Sequence, residues 1–326
     1  MKSFILATLF LLGIKAAAQP HPYAEVDSLM RGYQEKVRDA DDLYKVVHFI
    51  RKRWTVDSLR LRAAFIWITH NISYDVKALM QDRSEEASTL KYTLKKKKTV
   101  CSGYAALLQY FCNAFGLQNE RITGFARGAR TSINLTQRRR LLSNHAWNAV
   151  YLNGTWRLYD PTWAAGSVDD SDPDQLRYIP EYHEGYYETP PELLIGSHLP
   201  DKNVQQFLVK PVDLYAFKDS PMKLYGYLRG WVRAVRPDTA VIRARVGDTI
   251  VFRFQTERIA DFYAASDLQK KAANGAPGVV RDGWLEFHYP VTVPGYYNLF
   301  IYFAHVLHRE SLVAYRLEVN GRREKE

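Results

Sequence analysis

The chain has 326 residues, a formal net charge of +10, and a composition that is 47% hydrophobic and 25% charged. That balance is ordinary for a globular protein and excludes wholesale disorder. The length allows one large domain or two modest ones, and 22 Tyr, 15 Phe and 7 Trp can fill a sizeable core.

The chain opens with MKSFILATLFLLGIKAAAQ, which reads as a secretory signal peptide. Lys2 supplies the positive end, Phe4 to Ile14 a short apolar run, and Ala16-Ala17-Ala18 a small-residue cleavage site before Gln19. The run is shorter than the roughly 20 residues needed to cross a bilayer, and no later segment is apolar enough to do so. We therefore expect a secreted or periplasmic protein, cleaved after Ala18. Lys2 and Lys15 are the only charges removed, so the mature chain keeps +8. That excess favours anionic cell-envelope components as surroundings. No nucleic-acid motif is present, and export argues against that partner.

Residues 19–38 form a lead-in. From Asp41, the spacing of Leu43, Val46, Val47 and Ile50 predicts an amphipathic helix. Residues 57–71 predict a second, with Asp57 as its N-cap and Ala63, Ile66, Trp67 and His70 as its stripe. Residues 81–99 are polar, end in the run Lys95 to Lys98, and read as a loop. Next comes VCSGYAALLQYFCNAFGL, a helix with Ala105, Leu108, Cys112 and Phe115 on one face and Gly116 as its stop. Residues 120–128 suggest a strand, and 129–143, with Arg138 to Arg140, a solvated loop. HAWNAVYL, Asn153-Gly154 and TWRLYD then make a two-residue hairpin. Residues 164–190 read as an ordered loop. From about residue 222, short runs such as KLYGYLRGWV, DTIVFRFQT and LVAYRLEV, separated by turn residues, predict a small all-β sandwich of immunoglobulin-like type.

Cys101 and Cys112 stand 11 positions apart on one helix. That is roughly 16 Å at 1.5 Å per residue, whereas a disulfide needs Cα atoms within about 7 Å. They are expected to stay unpaired. Cys112, in mid-helix on the apolar face, reads as a core residue. Cys101 begins the helix, where free N–H groups and the helix dipole favour a thiolate. Lys95 to Lys98 would add to this if they fold nearby, and Gly103 would leave room above it. In the hairpin, Leu152 pairs with Thr155, so Trp147 faces Asp160 and His145 lies diagonally from Asp160 on the same side. A carboxylate so placed can orient the imidazole, and the imidazole can serve a thiol as base and acid.

These residues carry a resemblance. KKKKTVCSGYAALLQYFCNAFGL, ITGFARG, NHAWNAVYLNGTWRLYDPTWAAG and ELLIGSHLPDKNVQQFLVKP, with FIWITHNISYD upstream, are similar to the transglutaminase-like superfamily. They resemble most its branch with kyphoscoliosis peptidase and hillarin-type proteins. The likeness runs from about residue 40 to 215. It implies an α+β, papain-like transglutaminase core within residues 19–216, ahead of the β-sandwich at 217–326. It also implies a Cys101–His145–Asp160 triad acting on protein or peptide amides through a thioacyl intermediate. Trp67 would correspond to the family's oxyanion-holding Trp, although the Cys101 amide is the safer donor. No acidic cluster matches the calcium sites of animal transglutaminases, so neither metal nor cofactor is implied. Hydrolysis is favoured over cross-linking, because no acceptor site can be read. Two rivals stand beside this reading: a non-catalytic envelope scaffold that uses the same fold, and a zinc site built from Cys101, His145 and Asp160.

Overall fold

The computed structural model describes residues 22–33, 35–128, 142–169, 175–256, 261–266, 276–305 and 308–321. The signal-peptide segment, and the part of the 129–143 loop that carries its three arginines, lie outside these residues. Among the described residues no helix is long and apolar enough to cross a membrane.

Three helices lead the chain: α1 (Ala24–Gly32), α2 (Ala40–Arg53) and α3 (Asp57–Asn71). The stripe Leu43, Val46, Val47 and Ile50 turns inward as its spacing requires, and the Asp39 side chain caps α2 by accepting from the Asp42 amide. Asp57 falls inside the first turn of α3, with Val56 at the cap position, so it is not the cap expected. From Leu61 to Thr69 every residue of α3 is buried, so this helix runs through the core rather than showing one stripe to it. Arg62 is among them. Its guanidinium forms two bonds of 2.6 Å to Asp27 and two, of 2.7 and 2.8 Å, to Glu184. Such pairing offsets the cost of burying the cation, and the cluster ties α1 and α3 to the Glu184 turn.

After β1 (Ser73–Tyr74), residues 81–99 depart from the loop expected. They follow α4 (Val76–Met80) and contain α5 (Ser84–Ala87), α6 (Leu90–Lys96) and β2 (Lys98–Thr99). The Thr89 side chain caps α6, and Thr93 and Leu94 turn inward while Lys91, Lys95 and Lys96 stay exposed. Lys95 and Lys96 are thus the solvated end of a short helix, and polarity alone hid the helix. Strand β2 pairs in parallel with β1 and delivers the chain to α7 (Cys101–Phe115). Gly116, at φ 75°, ends α7 in the left-handed conformation.

A four-stranded antiparallel sheet follows, in the order β5-β4-β3-β8. It is built from β3 (Asn119–Ala126), β4 (His145–Leu152) and β5 (Thr155–Tyr159). Then come α8 (Pro161–Ala165), β6 (Gly166–Asp169), β7 (Arg177–Pro180) and α9 (Pro191–Leu194), before β8 (His198–Pro200) completes the sheet. The stretch read as a loop at 164–190 therefore holds part of a helix, the β6–β7 hairpin and a 3-10 turn at Glu184–Tyr186. Helix α7 packs across β4, and the Asn148 side chain of β4 donates 2.9 Å to the Ala105 carbonyl of α7.

The remaining elements are α10 (Leu214–Asp219), β9 (Met222–Lys223), α11 (Tyr225–Leu228), β10 (Ala234–Arg236), β11 (Val241–Arg245), β12 (Thr249–Gln255), β13 (Asp261–Ser266), β14 (Ala276–Pro277), β15 (Val279–Arg281), β16 (Trp284–Pro290), β17 (Gly295–His305) and β18 (His308–Asn320). One sheet runs β10-β12-β16-β15. The other runs β11-β18-β17-β13-β14, with β9 beside β18. Phe252 and Phe287 of the first pack with Phe262, Ile301 and Tyr315 of the second. The run KLYGYLRGWV does not form the strand its aromatic pattern predicts. It folds as the end of β9, the helical turn α11 and a turn at Gly230 (φ 68°). Tertiary packing decides this: Leu228 joins the first core, Tyr227 the second, and Leu193 packs against both.

Two glycines are required by close approach. A Cβ at Gly124 would lie 2.3 Å from the Leu199 carbonyl, so only glycine lets β3 pair with β8 there. A Cβ at Gly103 would lie 1.8 Å from Thr99 Oγ1, which is fixed by its bond to the Ala87 carbonyl. The space at Gly103 therefore serves packing beneath the helix tip, not access above the thiol as expected. Gly103→Ala should cost about 1–3 kcal/mol by overpacking, measured as a lowered denaturation midpoint, whereas Ala at Gly32, where a Cβ meets nothing, should not be destabilising in this way.

Candidate active site

The site is assembled from the tip of α7, the first residue of β4 and the residue that follows β5. The hairpin register is the one the Asn-Gly turn predicts: Leu152 faces Thr155 and Asn148 faces Tyr159, with Asn153 at φ 52° and Gly154 at φ 81°. Asn144 fixes the start of β4. Its side chain accepts 2.8 Å from the Ala126 amide and donates 3.0 Å to the Ala126 carbonyl, extending the β3–β4 ladder by one step. His145 is thereby held by backbone on one side and by the hairpin on the other.

Asp160 leaves β5 and caps α8, with Pro161 suited to the first helical position. Its Oδ1 accepts from the Thr162 amide at 2.9 Å and the Trp163 amide at 3.1 Å. Its Oδ2 lies 2.7 Å from His145 Nε2 and 3.2 Å from His198 Nε2. The carboxylate is fully buried. Burial alone would raise its pKa, but the charge and hydrogen bond of His145, and then the bond from His198, outweigh it and hold the group well below the usual carboxylate range. Aromatic rings dry the surroundings: Trp163 lies 5.3 Å and Trp147 5.9 Å from the His145 ring.

Since Nε2 of His145 is engaged by Asp160, Nδ1 is the nitrogen left for the thiol. His145 and the Ala146 amide both act to stabilise the Cys101 thiolate. Burial pushes the Cys101 thiol up, but the hydrogen bond and charge of His145 overcome it, so the net direction is down. Burial pushes His145 down, but Asp160 and then Cys101 raise it, to about 10. Together they favour a thiolate–imidazolium pair. The main positive charge on the thiol is thus His145, not the lysine run. Lys97, which burial makes less basic, instead sits over the Trp67 ring at 5.6 Å.

His145 and Asp160 are therefore brought together at 2.7 Å, and Cys101 stands at the tip of α7. Trp67 lies in the core. Its fully buried ring packs 5.7 Å from Phe111, ten residues along α7 from Cys101, which is about 15 Å along the axis at the helical rise. It is a core residue, as buried all-round helices demand. Cys112 is buried, unpaired and pushed up to about 12 by desolvation, in keeping with an inert core thiol.

Sequence reading missed Tyr74 and His198. Burial, then Cys101, then Asp160, raise the Tyr74 pKa, which keeps a protonated hydroxyl beside the thiol. His198 lies in a three-residue strand, too short for any periodic signal, although its stretch was among those carrying the resemblance. Tyr74 and His145 line a cleft of about 840 Å³ with Trp163, Tyr178, Tyr186 and Tyr225. His145, Asp160 and His198 are also a metal-type donor set, with ligand atoms within 4.8 Å of one another. Two ligands on one tetrahedral zinc stand about 3.3 Å apart at 2.0–2.1 Å bond lengths. His145 Nε2 and Asp160 Oδ2 are closer than that, at 2.7 Å, the spacing of a hydrogen bond rather than of two ligands on one ion.

Cys101 should react with iodoacetamide well below the pH at which an ordinary thiol does, and Cys112 should stay unlabelled until the protein unfolds. Peptide mapping after alkylation checks both. His145→Gln should slow Cys101 alkylation at pH 6 about tenfold or more, since the thiolate loses its counter-charge. Stability has a matching signature. Because His145 is raised from 6.5 to about 10, its contribution is complete below 6.5 and is lost as pH rises through about 10. The gap in melting temperature between wild type and His145→Gln should narrow over that window.

Residues 46–161 match the family model described as the Transglutaminase-like superfamily. The chain is 32% identical over 238 residues to kyphoscoliosis peptidase of Mus musculus, a match covering 73% of this chain and 34% of that protein. It is 30% identical over 261 residues to the Homo sapiens protein of the same name, covering 80% and 38%. Hillarin of Drosophila melanogaster is 26% identical over 211 residues, covering 62% of this chain and 25% of that protein. The chain thus spans only about a third of the length of the first two relatives. Its architecture is α+β, a papain-like transglutaminase core followed by an all-β region. With that core and those matches, residues 46–161 carry a transglutaminase-like superfamily domain, and the chain is similar to the branch that includes kyphoscoliosis peptidase and hillarin.

Proposed function

We propose that this protein is a cysteine acyl-transfer enzyme that cleaves protein or peptide amide bonds, with Cys101 as nucleophile, His145 as acid and base, and Asp160 as the group that orients His145. The observation that carries this reading is the 2.7 Å bond between His145 Nε2 and Asp160 Oδ2, which leaves Nδ1 for a thiol whose pKa the same imidazole lowers. A structural histidine has no need of a thiol partner at a helix tip, and a structural cysteine has no need of a charged imidazole.

The Cys101 thiolate attacks the carbonyl carbon, forming a C–S bond and moving the π electrons onto oxygen. The amides of Gly103 and Tyr104 turn back to the Val100 carbonyl, so the amide of Cys101, at the helix tip, has no partner inside α7 and suits the oxyanion. The protonated Tyr74 hydroxyl is a second candidate donor. His145 Nδ1–H then protonates the leaving nitrogen, the C–N bond breaks, and a thioester remains. His145 next takes a proton from water, the hydroxyl attacks, the C–S bond breaks, and the acid leaves with the thiolate restored. A lysine amine in place of water would give an isopeptide bond by the same steps. We favour hydrolysis because no acceptor site for an amine can be read from the sequence. The N-terminal sequence and the +8 mature charge further suggest an exported enzyme working among anionic envelope components.

Incubation of wild type, Cys101→Ala and Asp160→Asn with a peptide library, scored for both cleavage and amine incorporation, tests the reading. Cleavage should vanish in Cys101→Ala and fall roughly 10²–10⁴-fold in Asp160→Asn. Amine incorporation without cleavage would replace hydrolysis with cross-linking. Equal biological effect from wild type and Cys101→Ala would sustain the scaffold alternative instead.

A further inference from the structure

The Asp160 carboxylate holds two imidazoles on one oxygen, and only one of them faces the thiol. His198 is the other. It lies on β8, is 1% exposed, and reaches Asp160 Oδ2 through Nε2 at 3.2 Å. Its other nitrogen, Nδ1, is 2.8 Å from Ser197 Oγ. An ionised carboxylate only accepts, so His198 Nε2 carries a hydrogen. Ser197 Oγ has one proton and two possible acceptors, His198 Nδ1 at 2.8 Å and the Leu194 carbonyl at 3.4 Å. Given along the shorter contact, to Nδ1, that proton would leave the nitrogen bare and the ring neutral.

The groups facing His198 support this state. Among the described residues, Asp160 is the anion that acts on it. The charged His145 ring lies 5.4 Å away, the rings of Trp163 and Trp147 at 4.5 and 5.0 Å, and Tyr186 at 6.4 Å. Arg127 anchors the same segment: its amide donates to the Ser197 carbonyl, and its buried guanidinium to the Gly196 carbonyl. A second imidazolium beside the His145 cation would put two buried cations on one carboxylate. Burial lowers the His198 pKa first of all, and the neighbouring His145 charge lowers it further, against the pull of Asp160.

We propose that His198 is a positioning residue: a permanently neutral imidazole, in the Nε2–H tautomer fixed by Ser197, that locks the Asp160 carboxylate in the rotation at which it holds His145 against Cys101. The Thr162 and Trp163 amides secure Oδ1, and His198 secures Oδ2. Without it, Oδ2 keeps only the group it is meant to steer. His198 touches no reacting atom, so its effect passes through Asp160 and His145. The inference rests on the proposed roles of those two residues but not on the nature of the substrate.

Two measurements on the full chain test it. In the first, the rate of Cys101 alkylation by iodoacetamide is followed against pH. His198→Leu, which removes the donor at similar volume, should move the acid limb to higher pH by about one unit, about tenfold slower alkylation at pH 6. His198→Gln, whose amide can still donate to Oδ2, should restore most of the rate. An unchanged profile in His198→Leu at unchanged melting temperature overturns the proposal, as does an equal loss in both variants. The second needs no reactive thiol. Histidine ¹⁵N NMR should show His198 as the neutral Nε2–H tautomer from pH 5 to 9, with His145 as imidazolium at pH 7. An imidazolium at His198 in that range overturns the proposal. If neither thiol activation nor cleavage is seen in wild type while the NMR assignment stands, the catalytic reading fails and the hydrogen-bonded arrangement of His198 survives.

Discussion

One buried carboxylate organises the centre of this protein. Asp160 accepts four hydrogen bonds, two from backbone amides at the start of α8 and two from imidazoles on β4 and β8. An ion at that depth would be expelled or neutralised without such partners. With them it stays charged, and its charge raises His145 and so sets the state of the Cys101 thiol. Three segments distant in sequence are therefore bound to one atom group, and the chemistry of the site and the packing of the sheet are the same set of bonds.

The scaffold around that carboxylate removes freedom from each element in turn. Asn148 clips β4 to α7 through the Ala105 carbonyl, and Asn144 extends the ladder at the step before His145. Gly124 lets β8 approach β3 closely enough to carry His198 inward. Arg127, fully buried, donates to the carbonyls of Gly196, Ser220 and Pro221 and lies over the Phe217 ring. Its three guanidinium nitrogens, all facing neutral acceptors, make it a cross-brace between the site and the chain that leads to the β-rich region. Placement of reacting groups to within a fraction of an ångström comes from such rigid supports rather than from the groups themselves.

The cleft beside His145 draws on both cores. Trp163, Tyr178 and Tyr186 come from the segments after β5, and Tyr225 from α11. Tyr225 packs with His183 and Tyr186, and α11 supplies Leu228 to one core and Tyr227 to the other. The β-rich region thus helps to wall the cleft instead of hanging from the core as a separate module. Aromatic walls around a charged pair keep water ordered and the local dielectric low, which strengthens the electrostatic link from Asp160 through His145 to the sulfur.

What the sequence could determine was local. Asn153-Gly154 dictates a turn geometry, that turn dictates the register, and period-two alternation then puts His145 and Asp160 on one side. The α7 pattern puts Cys101 at a helix start and Cys112 in the core for equally short-range reasons. Where patterning was weak, the reading failed. The helices at 84–96 were hidden by polar composition, and α11 by an aromatic run that resembles a strand. His198 lies 38 positions beyond Asp160, and Trp67 lies 34 before Cys101. Nothing in their spacing says that the first reaches the site and the second turns to Phe111. Those assignments depend on how helices and sheet pack and which buried polar atoms find partners, and that is settled only when distant segments meet.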